Sequence, residues 1–293
     1  MKTLFLFLIL ATFSVNVYSL ALETDSYALI KKIALEKAKK YGPKNVLVVL
    51  DIDNTTLAMP QNLGSDQWFG WQSSNCMGKE QAPSFCVADD FNELLDIQGQ
   101  LFALSNMVPT EKTTVQTIKE LQDRGIKLIL LTSRGPVFRN ATERALEMNG
   151  LSFQKSAIGS PKGFASTYMP YELKNPGKYG LNSYDIKTMG NKSPRPVSYM
   201  NGVFMTAGLN KGIMLKTLLA KTKENFKAVL FADDHKKHTV RMQAIMGKVA
   251  GLDLVTFRYS KIDPMVKAFH ASDKSETIKA YEALKKASLQ AFQ

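Results

Sequence analysis

The residues with most capacity for chemistry are acidic and sit at the ends of apolar runs. Asp51 and Asp53 follow Val46–Leu50 (VLVVL), Asp233 and Asp234 follow Ala228–Ala232 (AVLFA), Thr132 follows Ile126–Leu131, and Lys211 opens a helical stretch. Carboxylates brought together repel one another unless something compensates them. A hard divalent cation does so, and Mg²⁺ favours oxygen ligands with several retained waters. A carboxylate can also act as a covalent nucleophile and form an aspartyl-phosphate. In an extended strand Asp51 and Asp53 would share a face, but a turn just past the strand end can separate their roles. Taken singly, each residue has a plain structural reading: Asp-Ile-Asp-Asn as a turn, Thr132 as a strand-end hydroxyl, Lys211 as a surface lysine, Asp233-Asp234 as a helix cap. A calcium loop is excluded, since its glycine and distal glutamate do not follow. The plain readings do not account for all of these residues together, in this order and each at a strand end or helix start.

The elements that must position them follow from periodicity. Ser26–Lys40 reads as a helix capped by Asp25 or Ser26 and ended by Gly42-Pro43. Val46–Leu50 is a continuous, Val-rich run of the kind buried on both faces of a parallel sheet. Thr110–Arg124 is a helix, Ile126–Leu131 a strand, and Pro136–Asn149 a helix with Pro at its start and Gly150 at its end. Asn201-Gly202 between two apolar segments predicts a hairpin over Val197–Thr206. Helix, strand, helix, strand and helix follow at Leu209–Asn225, Ala228–Ala232, Lys236–Val249, Leu254–Phe257 and Ser275–Phe292. This alternation predicts an α/β fold with a doubly wound parallel sheet, whose ligands bind beyond the carboxyl ends of the strands. Two irregular stretches interrupt it, residues 60–106, with a short helix near Asp90–Leu101, and residues 151–196. The core is then 20–59 and 107–293, with the second stretch an insertion within it.

The chain has 293 residues, 45% hydrophobic and 22% charged, which excludes disorder, collagen and coiled coil as whole-chain descriptions. Its 38 Lys and Arg against 26 Asp and Glu give a net charge of +12. That excess favours anionic partners, whether nucleic acid, a membrane surface or phosphorylated small molecules, and does not choose among them. The first residues, MKTLFLFLILATFSVNVYSLA, place one lysine before an apolar run and small residues after it. This is a signal-peptide pattern over residues 1–19, with cleavage expected after Ser19 or after Ala21. The run is shorter than the roughly 20 residues of a spanning helix. The mature chain is therefore expected outside the cytoplasm, periplasmic or secreted, with no stable membrane anchor. Cys76 and Cys86 could bridge in such a compartment or stay as two separate thiols.

DIDNT after VLVVL resembles the Asp-Xaa-Asp-Xaa-Thr motif of the haloacid dehalogenase-like phosphatases. ILLTSR, NKGIMLKTLL and VLFADD resemble that superfamily's second, third and fourth motifs, in order. The leader and the DIDNT form resemble exported bacterial acid phosphatases, and NGVFMTAGLNKG with LFADDHKKH is similar to a less characterised bacterial branch. The resemblance implies a Rossmann-like core with cap insertions, residues 60–106 being where such a cap is often placed. It implies an Mg²⁺-dependent phosphomonoester hydrolase in which Asp51 attacks phosphorus and Asp53 is the acid and base. Thr132 would hydrogen-bond the phosphoryl group and Lys211 neutralise charge on it. Mg²⁺ would be held by Asp51, the Asp53 carbonyl and Asp233, with Asp234 as ligand or outer partner.

Other residues are weighed beside these. Arg134 could reach a substrate phosphate or form a salt bridge. Trp68 and Trp71 could stack on an aromatic substrate, of nucleotide or phosphotyrosine type, or fill the core of the insertion. Asp234 and His238 have the i, i+4 spacing of a zinc site, but His235 and His238 are expected on a solvated helix start. Lys37, Lys39 and Lys40 are expected on a solvated face, so no nucleic acid partner is expected. The sequons at Asn54, Asn140 and Asn191 are read as chance. Two rivals stand beside the hydrolase: a non-enzymatic polyanion-binding protein on the same fold, and phosphoryl transfer to an acceptor other than water.

Overall fold

The computed structural model describes residues 18–164, 166–190 and 192–291. In chain order the elements are β1 (Tyr18–Thr24), α1 (Tyr27–Tyr41), β2 (Val46–Leu50), β3 (Leu57–Ala58), α2 (Asp66–Cys76), α3 (Phe91–Leu104), β4 (Val108–Pro109), α4 (Thr114–Asp123) and β5 (Lys127–Thr132). There follow α5 (Arg139–Met148), α6 (Ser183–Thr188), β6 (Ser198–Met200), β7 (Val203–Met205), α7 (Lys211–Thr222), β8 (Ala228–Asp233), α8 (Lys236–Met246), β9 (Asp253–Tyr259), α9 (Asp263–Ala271) and α10 (Ser275–Ala291). The main sheet runs β1-β9-β8-β2-β5-β7-β6, parallel throughout except for β6 against β7. From β2 the chain winds outward through β5 and β7, then returns to the other side through β8 and β9. The reversal lies at β2, so its carboxyl end faces the crevice where such sheets bind ligands.

The five buried residues of β2 show why both faces are covered. Val46, Val48 and Leu50 pack under α1 and α4 with Ile30, Ile118 and Leu121. Leu47 and Val49 pack on the other face with Ile213 and Leu218 of α7 and Met242 of α8. Alternate residues of one strand thus feed two cores, as a period of two requires. The hairpin turn is as expected, with Asn201 and Gly202 both at positive φ (52° and 76°).

Three elements differ from expectation. The strand β1 pairs with β9 at the sheet edge, from Tyr18↔Asp253 to Thr24↔Tyr259. The apolar run of the expected leader lies outside the described residues, but Ser19 and Ala21 both fall within β1. Residues 60–106 hold two helices rather than one, and a Cys76–Cys86 disulfide ties the end of the first to the loop that leads to the second. A helix, α9, with Pro264 in its first turn, precedes the terminal one. Residues 151–196 contain α6 and lay Tyr171, Leu181 and Met189 onto the α7 face of the sheet. Among the described residues, no helix is long and apolar enough to cross a membrane.

Candidate functional site

Asp51 continues β2 by one residue, its N–H donating to the Ala232 carbonyl at 2.9 Å. The chain then turns sharply. The N–H groups of Thr55, Thr56 and Leu57 all reach the Ile52 carbonyl, and the Thr56 hydroxyl donates to the Asp51 carbonyl at 2.6 Å. Asn54 sits in the left-handed region (φ 55°), which Asn tolerates better than most side chains. The turn is propped from α1, where the Tyr27 hydroxyl donates to the Thr55 carbonyl, and from Thr110, whose hydroxyl does the same.

The turn sends the two aspartates to different partners. Asp51 Oδ1 lies 2.7 Å from Lys211 Nζ, and the same ammonium donates to Asp233 Oδ2 at 2.6 Å. Lys211 and Asp233 are fully buried and Asp51 is 5% exposed. Asn210 fixes the lysine by capping α7, accepting from the N–H groups of Gly212 and Ile213. Gly212 lets α7 close on α8, because a Cβ there would meet the Arg241 carbonyl oxygen at 2.8 Å.

Asp53 faces Arg134. Nε donates to Oδ2 at 2.9 Å and Nη2 to Oδ1 at 2.7 Å, a two-pronged pair. The guanidinium is buried, donates to the Thr142 hydroxyl, and lies 3.8 Å over the Phe102 ring. Arg134 is therefore engaged with Asp53 in a largely buried pair rather than a surface one. The Thr132 hydroxyl accepts from the Arg134 N–H at 3.1 Å, which leaves its own proton to donate.

The third group gathers beyond β8. The Asp234 N–H donates to the Thr55 hydroxyl, and the Asp234 side chain is 10% exposed. His235 Nε2 is 2.9 Å from Asp66 Oδ2, in the first turn of α2, and 3.9 Å from Asp234 Oδ2. Gln67 of the same turn accepts from Asn54 at 3.5 Å. The insertion thus meets the acidic strand ends through Asp66 and Gln67.

Burial drives the electrostatics. It raises the Asp51 pKa well above the ordinary carboxyl value, with Asp233 and Asp53 adding to the rise and Lys211 opposing it. Burial also raises Asp234, helped by the charge of Asp66. Lys211 is held above its ordinary value because Asp233 and Asp51 outweigh its desolvation. The Asp66 hydrogen bond raises His235 to about 9, and the same bond lowers Asp66 against its burial.

Oxygens of Asp51, Asp233 and Asp234 all lie within 4.8 Å of one another and could hold a metal ion. Two observations fit a cation there. Asp51 Oδ1, although close to Lys211, has no well-directed hydrogen bond, and Asp234 Oδ1 has no partner. As carboxylates the three carry three negative charges against the one positive charge of Lys211, and a divalent ion makes up the difference of two. Buried charge left uncompensated is costly.

Several expectations need correction. Trp68 is 1% exposed and packs with Ala88, Leu94, Ile97, Leu101 and Phe269. Trp71 stacks on Phe85 at 4.7 Å and meets Phe269 edge-on. Both rings pack in the insertion's own core, Trp68 buried and Trp71 half-buried. His238 is buried rather than solvated, with Nδ1 lacking a partner, and burial followed by the charge of Lys211 pushes its pKa well down. Lys37 pairs with Asp253 at 2.6 Å instead of facing solvent alone. The sequon at Asn54 is buried, and Asn191 lies outside the described residues. The site also includes residues the motifs did not point to. Asp66 hides in an irregular stretch and Thr142 seats Arg134; Thr55, the threonine of DIDNT, ties the two strand ends together.

The fold and site define an α/β protein with a buried acidic cluster at the carboxyl ends of its central strands, able to hold a metal ion. The chain belongs to the family described as "Protein of unknown function (DUF2608)", whose model matches residues 25–291. No curated protein matches the chain.

Proposed function

We propose that the protein is an exported, metal-dependent phosphomonoesterase of the haloacid dehalogenase-like kind, with Asp51 as nucleophile. The observation that carries this reading is the setting of Asp51: a buried carboxylate at the end of the central strand, one oxygen against Lys211, beside two further carboxylates. Asp51 forms the bond to phosphorus while the ester oxygen leaves with a proton from Asp53. Asp53 then takes a proton from the water that opens the aspartyl-phosphate, which restores both residues. Lys211 orients Asp51 and offsets charge on the phosphoryl group, and the Thr132 hydroxyl donates to one of its oxygens. To carry the proton, Asp53 must exchange one of its two Arg134 hydrogen bonds for the leaving oxygen. Mg²⁺, held by Asp51, the Asp53 carbonyl and Asp233 with Asp234 beside them, would supply charge neutralisation at the transferring group.

Polyanion binding without catalysis draws no support from this site, since clustered carboxylates repel anions. Export is supported by the leader pattern and by the Cys76–Cys86 bridge, a bond that oxidising compartments favour. Phosphate release from a panel of phosphomonoesters is the direct test. Activity should vanish in chelator and return with Mg²⁺, and Ca²⁺ should restore it poorly because it does not demand octahedral geometry. Full activity in chelator, or no release from any ester with Mg²⁺ present, would overturn the proposal.

A further inference from the structure

The acidic cluster that could hold the first ion is not the only set of donors at this end of the sheet. Asp66, Asp234 and His235 present one nitrogen and two carboxylates, and these atoms also lie within 4.8 Å of one another. Two donors bound about 2.1 Å from a tetrahedral ion stand about 3.4 Å apart. The separations from His235 Nε2, 2.9 Å to Asp66 and 3.9 Å to Asp234, bracket that value. The Asp234 side chain is about nine-tenths buried; its Oδ2 is the oxygen near His235, while its Oδ1, which accepts no hydrogen bond, is left for the first ion. Its backbone is fixed by Thr55, and that of His235 by Asp233 Oδ1, which accepts its N–H at 2.9 Å. Two donors are thus held on the turn after β8, and the third comes from the first turn of α2.

We propose that Asp66, Asp234 and His235 form a second cation site that takes a borderline transition-metal dication of the zinc class. The imidazole sets the class. Mg²⁺ is served by oxygen donors, whereas mixed nitrogen and carboxylate sets suit zinc and its neighbours. The ion replaces the proton between His235 and Asp66, so that each donates a lone pair to the metal. With three protein ligands, the remaining position stays open to water or to a substrate oxygen. Because Asp66 belongs to the insertion and the other two to the sheet, the ion bridges them, and its occupancy sets how firmly α2 sits beside Asp51.

The test is zinc binding to the full-length, disulfide-bonded protein, stripped of metal and then supplied with excess Mg²⁺ to occupy the oxygen-only site. Zinc alone is the probe, followed by calorimetry and by metal content after dialysis. One equivalent should bind. His235→Ala and Asp66→Asn should weaken it by about a hundredfold or more, since even outer partners of a metal site are worth ten- to a hundredfold. Asp51→Asn should keep it. Circular dichroism establishes that each variant is folded, and Co²⁺ gives a second readout, a visible spectrum that His235→Ala should alter. Wild-type protein that binds no zinc under excess Mg²⁺ overturns the proposal. So does zinc binding that survives His235→Ala and Asp66→Asn, or that disappears in Asp51→Asn. Phosphate release plays no part in this readout, so the failure of either proposal is seen separately.

Discussion

Asp51 and Asp53 leave the same strand two residues apart and enter opposite surroundings. Asp51 shares one ammonium with Asp233, near Asp234, in a pocket with more negative than positive charge. Asp53 has a guanidinium to itself, matched oxygen for nitrogen and backed by Phe102 and Thr142. The first surrounding is short of positive charge and suits a cation. The second is balanced and suits a residue that must be held, then released. The difference comes from a few residues of turn, fixed by the left-handed Asn54 and by Thr56.

Variants on each side should break the comparison differently. Asp51→Asn keeps the size of the side chain and removes the proposed nucleophile, so phosphate release should fall to background in a protein whose circular dichroism is unchanged; substantial turnover would remove Asp51 from that proposed role. Next in size, Asp53→Asn should cost about 10²–10⁴-fold on esters with poor leaving groups, the usual range for acid–base help, and much less on nitrophenyl esters. Equal losses on both would place Asp53 outside proton transfer. Lys211→Met leaves two buried carboxylates without their cation, and should cost about 3–5 kcal/mol of stability in chelator, read from denaturant melts. Added Mg²⁺ should recover part of it, because an ion bound only by the folded state stabilises it.

Arg134→Lys keeps the charge and loses the fork. If Arg134 acts only by positioning Asp53, its effect on poor leaving groups should vanish in an Asp53→Asn background, and a double-mutant cycle measures that coupling. The smallest effect is expected from Thr142→Val, which removes one acceptor of the Arg134 fork. It should cost about 1–2 kcal/mol, with a partial loss on poor leaving groups and none on good ones.

The central strands and the acidic residues at their ends are legible in the sequence. Strands buried on both faces read as continuous apolar runs, and Asp51, Asp53, Asp233 and Asp234 follow those runs directly. Asp66 is not legible in this way. The helix α2, DQWFGWQSSNC, contains Gly, Ser and Asn in its body and has no clear apolar stripe. It is held by the Ser65 cap, the disulfide and the packing of Trp68, which are tertiary causes. The edge strand β1 is hidden because its residues run on from a leader-like segment. Its partner β9 lies far along the chain, and no local pattern announces such pairing. The tryptophans are ambiguous for a related reason. A ring that fills a small core and a ring that stacks on a ligand look alike in sequence, and the packing partners, Phe85 and the distant Phe269 among them, appear only in the fold.

The core of the insertion is closed by residues from far downstream: Phe269 of α9 packs among its buried side chains, and Tyr281 and Leu284 of α10 lean on it. Protein synthesis delivers the insertion early and those helices late, at roughly 5–20 residues per second. During that interval Trp68 lacks one wall of its packing. The Cys76–Cys86 bridge is local, its cysteines 10 residues apart, and does not need the later helices to close. Once closed, the oxidised loop holds the end of α2, and the late helices complete the surface against which it rests. In a growing polypeptide, the insertion that meets the acidic strand ends therefore completes its own core last.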